Sequence, residues 1–246
     1  MSKENVYLSQ IRLSREHDLP DDEYPLTIPV IRHLHTLSFA QSVTYLVGPN
    51  GSGKSTILEA IAVLLNLNPE GGSRNFHFHT VETHSRLSEA LVAVRSDLSY
   101  RDAFFFRAES YYNVASEIER LNAVDGGMYR SYGGESIHVR SHGEGFMALI
   151  QHRLNGKGIY LFDEPEAALS FSNQLAFLCW MNDAVARGAQ IIITTHSPVI
   201  LSYPHATIYE IGDGQITPVL YDECHVYKDM YGFMINRDLY LREMGL

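Results

Sequence analysis

Short, nearly unbroken apolar runs alternate with segments of helical period through most of this chain. Val43–Val47, Ala103–Phe106, Ile159–Phe162 and Ile191–Thr194 are brief and rich in β-branched or aromatic residues. Such runs predict strands buried on both faces. Between them, Ser55–Leu67 carries Ile57, Leu58, Ile61, Leu64 and Leu65 at helical spacing, and Asn68-Pro69-Glu70-Gly71-Gly72 ends it. Gly145–Leu154 and Ser172–Arg187 read as helices, as do residues 85–96 and 114–123. Thr207–Ile211 and Gln215–Val219 predict a hairpin about Gly212-Asp213-Gly214. Nearer the start, Val6–Leu13 and Leu26–Ile31 read as strands around the acidic loop Glu16–Glu23. The glycine-rich stretch from Asp125 to Glu135 reads as mobile.

Strands that alternate with helices in this way predict an α/β fold with a mainly parallel sheet flanked by helices. The 246 residues suffice for one domain with a sizeable core. With 45% hydrophobic and 20% charged residues, the chain has the balance of an ordinary globular protein. No run approaches the roughly 20 apolar residues of a membrane-spanning helix. Met1–Ser9 lacks the apolar centre of a signal peptide, so a cytoplasmic location without direct membrane insertion is expected. Cys179 and Cys224 make no CxxC pair, which argues against disulfide or zinc architecture. The net charge is -10, and the lysines are Lys3, Lys54, Lys157 and Lys228 alone. No basic run is available to replace the counterions of nucleic acid. Arginines 74, 86, 95, 101 and 107 are interleaved with acidic residues and read as a mixed-charge surface.

The chemistry is concentrated in two segments. Gly48-Pro49-Asn50-Gly51-Ser52-Gly53-Lys54-Ser55-Thr56 satisfies G-x-x-x-x-G-K-[ST] between a predicted strand and a predicted helix. In that context the glycines let backbone N–H groups turn around phosphate oxygens at a helix N-terminus. Lys54 is expected to neutralise the β- and γ-phosphates, and Ser55 to ligate Mg²⁺. The second segment, Ile159–Glu164, brings Asp163 and Glu164 to the carboxyl end of a strand, where open α/β sheets bind ligands. Asp163 is the expected second Mg²⁺ ligand and Glu164 the expected general base. The bland alternatives are a glycine-rich turn and an acidic helix cap. His77, His79 and His84 lack an acidic or thiol partner at a recognised metal spacing and read as surface or core histidines.

Asn50–Thr56 together with Asp163-Glu164-Pro165-Glu166-Ala167-Ala168-Leu169-Ser170 resembles the ABC ATPase superfamily, nearest to the branch that holds the SMC and DNA-repair ATPases and compact bacterial ATPases. The likeness implies a P-loop NTPase fold of ABC type with an antiparallel N-terminal β region. A small helical lobe over roughly residues 70–155 would be inserted in a single domain spanning 1–246. It also implies a signature at Ser141-His142-Gly143-Glu144, with His142 in place of the usual first glycine. Ser141, Gly143 and Glu144 would contact the nucleotide bound by a second copy. His196 matches the switch histidine that bridges Glu164, water and the γ-phosphate, and Ser170 matches the D-loop.

The family's Q-loop glutamine has no clear counterpart. Arg107-Ala108-Glu109-Ser110 stands where that loop belongs, with Glu109 a candidate active-site residue, and Phe39 is a candidate for stacking on adenine. These features imply hydrolysis of ATP with Mg²⁺ at composite sites of an ATP-dependent homodimer, acting on an unidentified effector protein or nucleic acid. The process could be DNA metabolism, phage defence or protein regulation. Two alternatives stay open: the nucleotide-binding subunit of a membrane transporter, and an ATP-gated dimerisation module with negligible turnover.

Overall fold

The apolar runs become the middle of one mainly parallel sheet. The computed structural model describes residues 5–73, 85–110, 113, 116–120, 122, 142–154 and 156–246. In chain order these begin with β1 (Leu8–Leu13), α1 (Pro29–Arg32), β2 (Leu37–Ser38), β3 (Val43–Val47) and α2 (Lys54–Leu64). Next come β4 (Gly72–Ser73), α3 (Leu87–Ala90), β5 (Leu91–Arg95), β6 (Asp102–Arg107) and α4 (His142–Arg153). Then follow β7 (Gly158–Asp163), α5 (Phe171–Ala186), β8 (Gln190–Thr194) and α6 (Pro198–Leu201). The chain closes with β9 (Thr207–Gly212), β10 (Gln215–Val219), α7 (His225–Ile235) and α8 (Arg237–Glu243).

Among the described residues the large sheet has the order β10-β9-β3-β8-β7-β6-β4. From β9 to β6 every pairing is parallel, while β10 and β4 close the edges antiparallel. Successive side chains of a strand point to opposite faces. Tyr45, Phe104, Phe106, Tyr160 and Phe162 therefore meet Phe146 of α4 and Phe177 and Trp180 of α5 on one side. Leu46, Phe105, Leu161 and Ile192 meet Ile57, Leu58 and Ile61 of α2 on the other. Both faces are covered, as the unbroken apolar runs require. A separate antiparallel sheet, β2-β1-β5, packs its Leu8 and Ile11 into the second core.

Two expectations need correction. Residues 26–31 are not a strand: Pro25 and Pro29 flank a turn that runs into the one-turn helix α1. Residues 85–96 are not one helix. Leu87–Ala90 make a single turn, and Leu91–Arg95 then pair antiparallel with β1, Ile11 opposite Ala93. The apolar positions fit a helical period locally, but the sheet edge offers Val92 and Val94 a cross-strand partner, and that long-range pairing prevails. The glycine-rich stretch 125–135, the histidines at 77, 79 and 84, and positions 114, 115, 121 and 123 of the expected helix lie outside the described residues, while 116–120 and 122 are helical as expected.

Candidate functional site

The phosphate-loop segment leaves β3 at Val47 and enters α2 at Lys54. Gly48 has φ of 147°, and a Cβ on it would lie 2.3 Å from the carbonyl oxygen of Ile211 in β9. Glycine is thus demanded both by conformation and by the close passage of the neighbouring strand. Gly51 and Gly53 are also in the left-handed region, while Pro49, Asn50 and Gly51 form an exposed tip. Ser52 is partly covered. Thr56 Oγ1 is 3.1 Å from the Tyr24 hydroxyl.

Lys54 is buried, and its ammonium donates to the carbonyls of Gly48 and Pro49, each at 2.9 Å. Burial lowers its pKa from the ordinary lysine value, and the charges of Glu164, Asp163 and Glu166 work against that. The loop thus folds around a cation that three carboxylates surround.

Ser55 Oγ donates to Asp163 Oδ1 at 2.9 Å, joining α2 to the end of β7. Thr194 at the end of β8 donates to the same oxygen. Strand register explains the meeting, since Asp163 stands opposite Thr194 on one side and Arg107 on the other. Arg107 Nε lies 3.6 Å from Asp163 Oδ2, and its Nη1 donates to Glu59 at 2.8 Å. Burial pulls the guanidinium pKa down, but Asp163, Glu59 and Glu109 outweigh it and hold it above its usual value. Ser55, Arg107, Glu109, Asp163 and Glu164 line a cleft of about 230 Å³. The facing hydroxyl and carboxylate oxygens of Ser55 and Asp163 suit a hard divalent cation such as Mg²⁺.

Glu164 sits at φ 49°, ψ 53°, a conformation that non-glycine residues rarely adopt. Its N–H is fixed to the Thr194 carbonyl at 3.1 Å, which turns its side chain into the open. Oε1 of Glu164 reaches to within 3.5 Å of His196 Nε2. That imidazole nitrogen has no closer hydrogen-bond partner among the described residues.

The residue that holds His196 in place has no signature in the sequence. Glu166 accepts the backbone N–H of His196 and the Thr195 hydroxyl, the latter at 2.8 Å. Burial raises its pKa, against which those two donors act. Its partners include a main-chain group, and no residue type marks a main-chain donor. Ser170, expected in a D-loop, caps α5 by accepting from Asn173 N.

Other expected residues fall less tightly into the cluster. Gly143 and Glu144 lie in the first turn of α4, where a Cβ on Gly143 would stand 3.0 Å from the Ala168 carbonyl. Ser141 lies outside the described residues. Phe39 is only 1% exposed and belongs to the second core, so it has no face to offer a nucleotide base.

Comparison with known proteins decides the family. A family model described as "AAA domain" matches residues 29–155, more than half of the chain. A second, described as "AAA domain, putative AbiEii toxin, Type IV TA system", matches residues 145–202. The cytochrome c biogenesis ATP-binding export protein CcmA of Mesorhizobium japonicum is 30% identical over 63% of this chain and 78% of its own length. The chain is an ABC-type P-loop ATPase.

This ATPase is also 25% identical to the macrolide export ATP-binding/permease protein MacB of Marinobacter nauticus, over 79% of the chain. It spans 32% of MacB's length. Among solved structures, the SMC head domain from Thermotoga maritima matches 87% of the ATPase and 100% of that chain at 16% identity, with a TM-score of 0.45. No described helix of the ATPase is long and apolar enough to cross a membrane.

Proposed function

We propose that this ATPase hydrolyses ATP with Mg²⁺ at composite sites of a head-to-tail dimer, and that the cycle drives an effector protein or nucleic acid. One arrangement carries the reading. Ser55, Asp163, Glu164 and His196 converge beside the phosphate loop at the carboxyl ends of adjacent parallel strands.

Each group then has a task its placement supports. The loop N–H groups from Gly48 to Thr56 cradle phosphate oxygens, and Lys54 exchanges its two carbonyl partners for the β- and γ-phosphates. Ser55 and Asp163 hold Mg²⁺, which neutralises charge on the transferring phosphoryl group. Glu164, strained into the open, accepts a proton from the attacking water, and His196 orients that water against the γ-phosphate. The Gly143–Glu144 turn serves the nucleotide of the second copy, together with Ser141. We place the activity in the cytoplasm.

The test is ATP turnover across a protein concentration series, with Glu164→Gln alongside. Turnover per molecule that rises with concentration and is lost in the variant supports the composite site. Turnover per molecule that stays constant down to concentrations at which light scattering finds only monomer contradicts it.

A second reading draws on the names of the relatives. MacB is an export ATP-binding/permease protein and CcmA an ATP-binding export protein. By analogy this chain would energise a separate membrane protein, and recovery of such a protein with it from solubilised membranes would favour that role.

A further inference from the structure

The two last helices expose an apolar face that no described element covers. Neither α7 nor α8 contains a buried residue. Helices of this length are marginal alone and normally owe their stability to a packed apolar face. On α7, Tyr227, Met230, Tyr231 and Met234 recur at i, i+3, i+4 and i+7 and line an open groove of about 440 Å³. Phe171 and Leu175 of α5 form its far wall. Met234 is 70% exposed and Phe171 64%. Ile235, Leu239, Met244 and Leu246 of the same C-terminal segment are exposed as well. Apolar side chains gathered on one exposed face mark interaction sites.

We propose that this surface is an interface with a second copy of the same chain, one that holds two molecules together independently of nucleotide. It rests on the dimeric reading above and supplies that dimer with a permanent contact. Three observations select the occupant. The apolar residues of α7 lie on one face at the spacing by which one helix packs on another, so the same face of a second copy suits it.

Charge is the second. The chain as a whole carries -10, so two copies repel on average. Yet α7 and α8 balance Lys228, Arg237 and Arg242 against Asp229, Asp238 and Glu243. This neutral patch can meet its own copy without like-charge cost, and it offers no field to attract a strongly charged partner.

Position is the third. The groove runs into the candidate site: Phe171 follows Ser170, and Pro198 and Val199 lie just beyond His196. The start of α7 is tied to the same region, because Glu210 of β9 accepts the His225 N–H at 3.0 Å. Glu210 is next to Ile211, whose carbonyl abuts Gly48. A contact through α7 therefore adjoins the surface on which two copies would close over ATP.

The experiment is light scattering of the purified protein without nucleotide at micromolar concentration, with Met234→Asp and Met234→Leu. A nucleotide-free dimer that becomes monomeric in Met234→Asp, with self-association weakened about 30-fold or more, and persists in Met234→Leu bears out the interface. Because Met234 is exposed, circular dichroism should report the same fold in all three proteins. A nucleotide-free monomer, or a dimer indifferent to Met234→Asp, overturns it. In the former case the patch would serve a different protein or a lipid surface. Glu164→Gln with ATP and Mg²⁺ separates the two readings: Glu164→Gln combined with Met234→Asp should dimerise on ATP whether or not the α7 interface is right, so its failure to do so counts against the composite site alone. A nucleotide-free dimer with no added ATP-dependent closure would sink the composite site alone.

Discussion

Glu166 grips the backbone of His196, accepting its N–H with one carboxylate oxygen while the other takes the Thr195 hydroxyl. The contact ties the segment after β7 to the segment after β8. His196 Nε2 stands 3.5 Å from Glu164 Oε1 as a result. Glu166 touches no reacting atom in this arrangement; it acts through the position of His196.

Replacing Glu166 by alanine should therefore lower kcat rather than raise KM. A backbone N–H left without its acceptor costs about 1–3 kcal/mol, which the His196 segment relieves by moving. At 1.36 kcal/mol per tenfold in rate, turnover should fall roughly tenfold. Glu166→Gln keeps an oxygen for His196 and an amide for Thr195 Oγ1, so it should restore most of the activity. Steady-state kinetics of both variants decide this; equal loss in the two would show that the charge, not the geometry, matters.

The same carboxyl group should leave a mark on stability. Burial raises the pKa of Glu166 in the folded state above the unfolded value. The folded protein then binds the proton more tightly, so this group's contribution is fully present below its unfolded pKa, about 4.3. It is lost as pH rises through the folded pKa. Wild type should thus lose stability relative to Glu166→Gln as pH climbs from about 4 to neutrality. Paired thermal melts across that range test the sign, and a difference that is flat or runs the other way would refute it.

Arg107 is the centre of a partly buried charge cluster and should matter to the fold before it matters to turnover. It bonds Glu59 at 2.8 Å and stands 3.6 Å from Asp163, both of them nearly buried. Arg107→Met would take the guanidinium from two buried carboxylates, those of Glu59 and Asp163. Removing one partner of a buried pair costs about 3–5 kcal/mol. Arg107 is partly exposed, so the low end applies, and a melting point lower by about 6–10 °C is expected. Arg107→Lys keeps the charge without the forked donors and should fall by less. Calorimetry on the two variants distinguishes them.

The positions of Asp163 and Glu164 were legible in the sequence because a buried strand ends visibly, where an apolar run meets its first charge. The phosphate loop was legible because its glycines and Lys54 are tied to positions by geometry. What could not be read locally depends on distant partners. Leu91–Arg95 becomes a strand only because β1 lies beside it, and Leu87, Ala90, Leu91 and Val94 fit a helix equally well in isolation. Phe39 looked available to a ligand because aromatic residues serve both cores and bases, and only the packing of the second core settles which. Arg107 was seen as one arginine among several on a mixed surface. Its pairing with Glu59 and Asp163 comes from the β6–β7 register, which spans 56 residues of sequence difference between Arg107 and Asp163.

The glycines of the phosphate loop are not equivalent, and two alanine substitutions should separate them. Gly48 and Gly51 both have positive φ, of 147° and 77°. Strain alone would predict similar penalties, on the order of 1 kcal/mol each. Their surroundings differ. A Cβ on Gly51 meets nothing within 4 Å, whereas one on Gly48 falls 2.3 Å from the Ile211 carbonyl oxygen. That oxygen belongs to the backbone of β9, which is paired to β3 on one side and β10 on the other and cannot yield alone. Gly51→Ala should therefore melt within a few degrees of wild type and show its effect in ATP affinity. Gly48→Ala should lose ATP binding and lower the melting point well beyond that, with faster amide exchange in β9 as the diagnostic. Unchanged exchange in β9 would mean the loop gives way instead of the sheet, and the rigidity assigned to the β3–β9 edge would be wrong.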